Sequence, residues 1–191
     1  MRESARGWPG DCSYDLRSAL KPGDHPEFFR FPAPEGRSRE STIRLDARGR
    51  FWHDGAPVEH AGLAAGLHSW IARHPDDGRY ILTNGYDWTY FTVDDAPYFV
   101  VALRIETSQV VLVLSDRSEE AWDPAATRTG REGALYTVVK RAAKGGPFEA
   151  KFTPFAQGAL APVLLESEGA VYAQVGSRRA RIGGESDEKR A

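Results

Sequence analysis

Phe51-Trp52-His53-Asp54-Gly55-Ala56-Pro57-Val58 opens the stretch that decides the fold, and that stretch runs on to Ile105. Phe51 to His53 is an aromatic strand, Asp54-Gly55 a bend at which glycine supplies a positive φ, and Pro57 the strand's end. Leu63, Leu67, Trp70 and Ile71 then stand at i, i+4, i+7 and i+8. That spacing predicts a helix over 60–74 with one apolar face, stopped by Pro75 and Asp76-Asp77-Gly78. Tyr80-Ile81-Leu82-Thr83 reads as a strand and Asn84-Gly85 as a hairpin turn. The run from Asp87 to Val93 is the next strand, Asp94-Asp95-Ala96-Pro97 the corner, and Tyr98 to Ile105 the return.

Outward from this stretch, Thr42 to Asp46 alternates as a strand, with Ile43 and Leu45 on one face. Ala47-Arg48-Gly49-Arg50 turns it into Phe51. Beyond Ile105 a strand is expected from Val110 to Leu114, and the polar residues 118–134 read as a connector. Leu135 to Val139, the turn Lys144-Gly145-Gly146, and Phe148 to Thr153 closed by Pro154 then echo the opening. A mildly helical segment from Phe155 to Glu166, interrupted by Pro162, precedes a strand from Ala170 to Val175. The order strand, Gly turn, strand, Pro, helix, Gly turn, strand is that of residues 42–83. The expectation is therefore an α+β fold of antiparallel sheets with packed helices. It is built from two β-β-α-β-like repeats, 41–117 and 135–176, which shield each other's apolar sheets and leave a cleft between them.

Residues 1–40 hold five of the 12 prolines and read as an irregular arm. Its apolar residues make Trp8-Pro9-Gly10 and Phe28-Phe29-Arg30-Phe31 the expected anchors on the body. Residues 177–191 read as a charged, fraying tail.

Composition excludes several classes of function. A net charge of −2 with 41% apolar residues draws the protein neither to nucleic acid nor to an acidic membrane. No apolar run approaches the roughly 20 residues needed to span a bilayer. The first residues lack the apolar stretch of a secretion signal, and Cys12 is the single cysteine. A cytoplasmic location is expected on both grounds. His60 and His68 lie about 12 Å apart on a helix, too far for shared zinc ligation, so neither metal nor cofactor is expected. No phosphate-binding loop or nucleophile elbow occurs.

The remaining chemistry is aromatic and acidic. Trp52, Tyr80, Trp88 and Tyr98, with Asp94 and Asp95 at the corner, are the candidate ligand-binding residues. At this density such rings either fill a core or line a pocket. The leading expectation is a non-enzymatic small-ligand-binding or signalling module. The alternatives are a hydrolase or transferase pairing Asp94 or Asp95 with His53 or His60, and a structural homodimer formed through an aromatic patch or exposed strand.

The run Leu45-Asp46-Ala47-Arg48-Gly49-Arg50-Phe51-Trp52-His53-Asp54-Gly55-Ala56-Pro57-Val58 resembles the opening of a bacterial family, domain of unknown function 1285. Gly78-Arg79-Tyr80-Ile81-Leu82-Thr83 and Val93-Asp94-Asp95-Ala96-Pro97-Tyr98 are similar to its two later signatures. Where that family usually carries a proline and an acid after the threonine, Asn84-Gly85-Tyr86 stands here. The resemblance, which covers roughly 41–175, implies a compact α+β fold of two related repeats and a ligand-binding or signalling role. It transfers no catalytic residue.

Overall fold

The computed structural model describes residues 21–143 and 145–183, so the Trp8-Pro9-Gly10 anchor lies outside the described residues. The chain lays down β1 (Glu40–Leu45), β2 (Phe51–His53), β3 (Ala56–Pro57), α1 (Ala61–Ser69), β4 (Ile71–Arg73), β5 (Tyr80–Thr83) and β6 (Trp88–Val93). These strands form one sheet in the order β3-β2-β1-β6-β5-β4. Next come β7 (Tyr98–Ile105), β8 (Val110–Leu114), β9 (Glu119–Ala121), β10 (Thr127–Thr129), β11 (Leu135–Val139) and β12 (Phe148–Phe152). Read from its β9 edge, their sheet runs β9-β8-β7-β12-β11-β10. The two orders are the same, strand for strand.

The duplication is therefore present, but its frame differs from the one expected. The equivalent units span 40–93 and 98–152, so the second begins at Tyr98, inside the segment assigned to the first repeat. In each unit the first and last strands pair in parallel at the sheet's centre, and all other pairs are antiparallel. One backbone bond closes each central pair: Asp94 N to Leu45 O, and Thr153 N to Val100 O, both at 3.0 Å. The counterpart of α1 is a single 3-10 turn at Pro124–Ala126, where Asp123 caps the Ala125 amide. The supposed connector 118–134 thus contains β9, this turn and β10.

The fold class needs correction as well. The sheets are mixed rather than antiparallel, and helices are few: α1 and α2 (Pro154–Ala159) are the α-helices among the described residues. The predicted helix over 60–74 stops at Ser69, and the Trp70 amide bonds back to Gly66 O and Leu67 O. Ile71–Arg73 leaves to pair with β5, since an edge strand offers three residues cross-strand partners that a further helical turn lacks. The helical stripe also faces differently. Leu67 and His68 are buried, whereas Leu63 is 47% exposed. Pro162 does break the second helical segment, which continues as a 3-10 turn at Ala161–Val163.

A three-stranded antiparallel sheet follows, formed by β13 (Leu164–Ser167), β14 (Ala170–Val175) and β15 (Arg178–Arg181). The expected tail is thus a strand as far as Arg181, and Ile182 is buried. Gly183 bridges to Arg128 and ties this sheet to β10.

The inner faces of both large sheets meet in one core. Leu45, Phe51 and Phe91 from the first share it with Val100, Leu114 and Phe152 from the second. Each such side chain contributes about 1.5–3 kcal/mol on burial. The outer face of the first sheet has its own cover, because Phe28 and Phe29 pack on Ile81 and Trp88. Of the expected anchor 28–31, then, Phe28 and Phe29 dock while Phe31 is 61% exposed. No helix among the described residues is long and apolar enough to cross a membrane.

Candidate functional site

The expected site residues fall in four places. Trp88 lies on the outer face of the first sheet, buried under Phe29, with the Arg39 guanidinium 4.5 Å from its ring centre. Tyr80 and Tyr98 approach the same strand: Arg73 stacks on Tyr80 at 4.5 Å, and the Tyr98 hydroxyl donates to Ile71 O at 3.3 Å. Trp52 and Asp94 meet through Arg44, which bonds Asp94 Oδ2 at 2.5 Å and lies 5.6 Å from the Trp52 ring. Asp95 stands apart from these, on Lys151 and Tyr136.

Neither corner aspartate hydrogen-bonds a histidine among the described residues. Asp94 holds Arg44 and Asp95 holds Lys151. His53 is 3.6 Å from Asp54, and His60 caps α1 by accepting from Leu63 N. Among the described residues no group of three metal-ligating side chains converges.

A cleft of about 900 Å³ does lie between the repeats. One wall is the β1–β2 turn, with Ala47 and Arg48. Phe99, Lys151, Phe152 and Thr153 form its floor, the β10–β11 turn from Arg131 to Ala134 its far wall, and α2 with Leu164 closes the end.

The first wall is fixed by Asp46. Its Oδ1 accepts from the Arg48 and Arg50 amides at 2.9 Å, and its Oδ2 accepts from Trp52 Nε1 at 3.0 Å. Burial alone would raise this carboxyl, but the Trp52 indole and the two amides outweigh it and hold the pKa at about 2. The turn sits directly on the second repeat. Gly49 has φ +82°, and a Cβ there would stand 2.9 Å from the Phe99 ring.

On the floor, Lys151 Nζ bonds Asp95 Oδ2 at 2.6 Å and Ala47 O at 3.4 Å, so one ammonium spans both repeats. Burial opposes its charge, yet Asp95 raises its pKa overall. Tyr136 donates to the same carboxylate at 3.0 Å; burial, then Asp95, raises its pKa. On the far wall, Glu132 takes a left-handed φ of 56°. Gln157 secures that turn, accepting from Leu135 N at 3.0 Å and donating to Gly133 O at 2.8 Å. The cleft thus combines accessible apolar side chains at Ala47, Pro154, Ala161 and Leu164, a neutralised lysine, and two exposed guanidiniums, Arg48 and Arg131, that make no ion pair among the described residues.

A second cavity of about 930 Å³ lies between the β7–β8 turn, Trp122 and the β14–β15 hairpin. Its charged groups are already engaged in part: Asp123 bonds Arg141, and Arg179 stacks on Tyr172 at 4.1 Å.

Sequence reasoning placed a cleft between the repeats but lined it differently. Arg48 read as turn and Arg131 as connector, because neither carries a local signal; tertiary contacts, Gly49 on Phe99 and Lys151 on Ala47, bring their turns to one opening.

Two six-stranded mixed sheets of identical strand order, each centred on a parallel pair, define a duplicated sheet-rich fold. This fold is that of solved proteins of the domain of unknown function 1285 family. One, from Silicibacter pomeroyi DSS-3, aligns with a TM-score of 0.54 at 14% identity, over 81% of this chain and 92% of its own. Another, from Shewanella baltica OS155, aligns with a TM-score of 0.52 at 16% identity, over 65% of this chain and 94% of its own. The resemblance noted in the sequence thus extends to the fold. No family model matches the chain, and no curated protein matches it.

Proposed function

We propose that the protein is a non-enzymatic small-ligand-binding module whose site is the cleft between the repeats. The supporting observation is the make-up of that cleft, in which separate segments of both repeats and α2 border about 900 Å³, with accessible apolar side chains at Ala47, Pro154, Ala161 and Leu164. Ligand pockets in proteins have this size and character, with a few polar groups at the rim. In this reading Trp52 acts by fixing Asp46 and its turn, and Asp95 by holding Lys151. Trp88, Tyr80 and Tyr98 serve as packing. A ligand that touches both repeats stiffens their junction, the kind of change a signalling partner could read.

A metabolite screen by thermal shift tests this, run on the full chain and on Gly158→Trp. Gly158 lines the cleft, and a side chain there enters open space. A ligand at 100 times its Kd adds about 2.7 kcal/mol, or a Tm rise of about 5–10 °C for a chain this size. The expected result is stabilisation of the native chain that Gly158→Trp abolishes. No stabilisation across a broad library, or stabilisation indifferent to the variant, overturns the reading.

A further inference from the structure

We infer that the cleft takes an amphipathic anion, a carboxylate or phosphate head on an apolar body. This rests on the cleft being a binding site and adds the class of ligand. Arg48 and Arg131 come from turns of different repeats and line one cavity, each lacking a carboxylate partner among the described residues. Their neighbour Lys151 already has Asp95, so the free positive charge of the cleft belongs to the guanidiniums. A guanidinium presents a planar fork of donors that matches carboxylate and phosphate oxygens. Against the two stands one acid, Glu132, on the rim.

The apolar lining supplies the other half of the argument. Phe99 and Phe152 are buried behind the cavity, and the apolar surface open to a ligand is that of Ala47, Pro154, Ala161 and Leu164. A fully polar ligand would leave that surface unused, and a fully apolar one would leave both guanidiniums unanswered. An anion with an aliphatic or aromatic body meets both. Because Arg48 and Arg131 sit in separate repeats, a ligand that answers both touches the two units.

The test is calorimetric titration of the full chain with four probes: decanoate, decyl phosphate, decanol and inorganic phosphate. Decanoate or decyl phosphate is expected to bind at least about tenfold more tightly than decanol, and to weaken as salt is raised. The tighter of the two names the head group. Arg48→Gln combined with Arg131→Gln, both at exposed turn positions, should bring the anion down to the affinity of decanol. Should that double variant fail to fold, the comparison of decanoate with decanol on the native chain still decides. Decanol binding as tightly as both anions overturns the charge inference and leaves the cleft reading standing. Inorganic phosphate binding as tightly as decyl phosphate overturns the apolar half. If none of the four binds, or if binding survives Gly158→Trp, the cleft reading fails and this inference with it.

Discussion

The imidazole Nδ1 of His68, on the helix of the first repeat, lies 3.2 Å from the hydroxyl oxygen of Ser115, just past β8 of the second. Ser115 Oγ also accepts from Phe99 N at 3.2 Å. The Gly49 and Pro97 carbonyls also act on the ring. The ring is buried, 4.8 Å from Phe51, and joins the two repeats.

Burial lowers the His68 pKa, against the opposing pull of the Gly49 carbonyl, Asp116 and the Pro97 carbonyl. A lowered histidine pKa means the unfolded chain binds the proton first. Stability is then full above the unfolded value of about 6.5 and falls below it, by up to about 1.4 kcal/mol per pH unit. Urea midpoints measured from pH 7.5 to 5 should show this decline, and His68→Gln should flatten it. Equal slopes in both proteins would remove His68 as the cause.

Asp46 governs a separate, more acid window. Its folded pKa of about 2 lies below the ordinary aspartate value of 3.8, so its contribution is complete above about pH 4 and disappears toward pH 2. Asp46→Asn keeps the shape but weakens the grip on the Arg48 and Arg50 amides and turns an amide group toward donors. A loss of about 1–3 kcal/mol at neutral pH is expected, with a shallower acid limb. Chemical denaturation at pH 7 and pH 3 checks both, and a native-like acid limb in the variant would contradict the assignment.

Two glycines should respond in opposite directions. Gly66 lies inside α1, and a Cβ there meets nothing within 4 Å. Gly66→Ala is expected to stabilise by about 0.5–1 kcal/mol through helix propensity alone. Gly49→Ala forces a side chain into φ +82° and onto Phe99, and should destabilise by more than about 1 kcal/mol. Thermal melts of the two variants give the signs directly.

What the sequence showed and what it hid follow from the range of the interactions involved. The turn at Gly49, the hairpin at Asn84-Gly85 and the strand from Tyr80 to Thr83 are local, and each is where residue chemistry put it. The extent of α1 was not legible, because Trp70 and Ile71 suit helical spacing as well as they suit a strand edge. The frame of the repeat was hidden for a different reason. The helix-equivalent of the second unit is one 3-10 turn of three residues, too short to leave a periodicity. The β7–β8 hairpin also turns through Glu106 to Gln109 without a glycine. The parallel pairs β1–β6 and β7–β12 join strands distant in sequence, and contacts between the two sheets, Gly49 on Phe99 and Lys151 on Ala47, bring the β1–β2 turn to the cleft. Arg48 and Arg131 were accordingly invisible as partners.

The pair Asp116 and Lys140 offers the sharpest energetic test of the second repeat. Lys140 Nζ lies 2.7 Å from Asp116 Oδ2, with the side chains only 15% and 8% exposed. Ser118 completes the arrangement, donating to Asp116 Oδ1 at 2.7 Å and accepting from Lys140 Nζ at 2.9 Å. Burial disfavours the Asp116 charge, but the bonds from Lys140 and Ser118 outweigh it and lower its pKa. Lys140 also carries a φ of 52°, so the backbone accepts a strained conformation to deliver the ammonium. Lys140→Met retains that backbone demand and strands a buried carboxylate, at an expected cost of about 3–5 kcal/mol. Asp116→Asn strands the ammonium instead. Because each single change leaves a partner uncompensated, the double variant should lose less than the two singles together, with a coupling of about 1–3 kcal/mol. A double-mutant cycle by urea denaturation measures it. Strict additivity would mean that water, rather than Lys140, satisfies Asp116 in the folded protein.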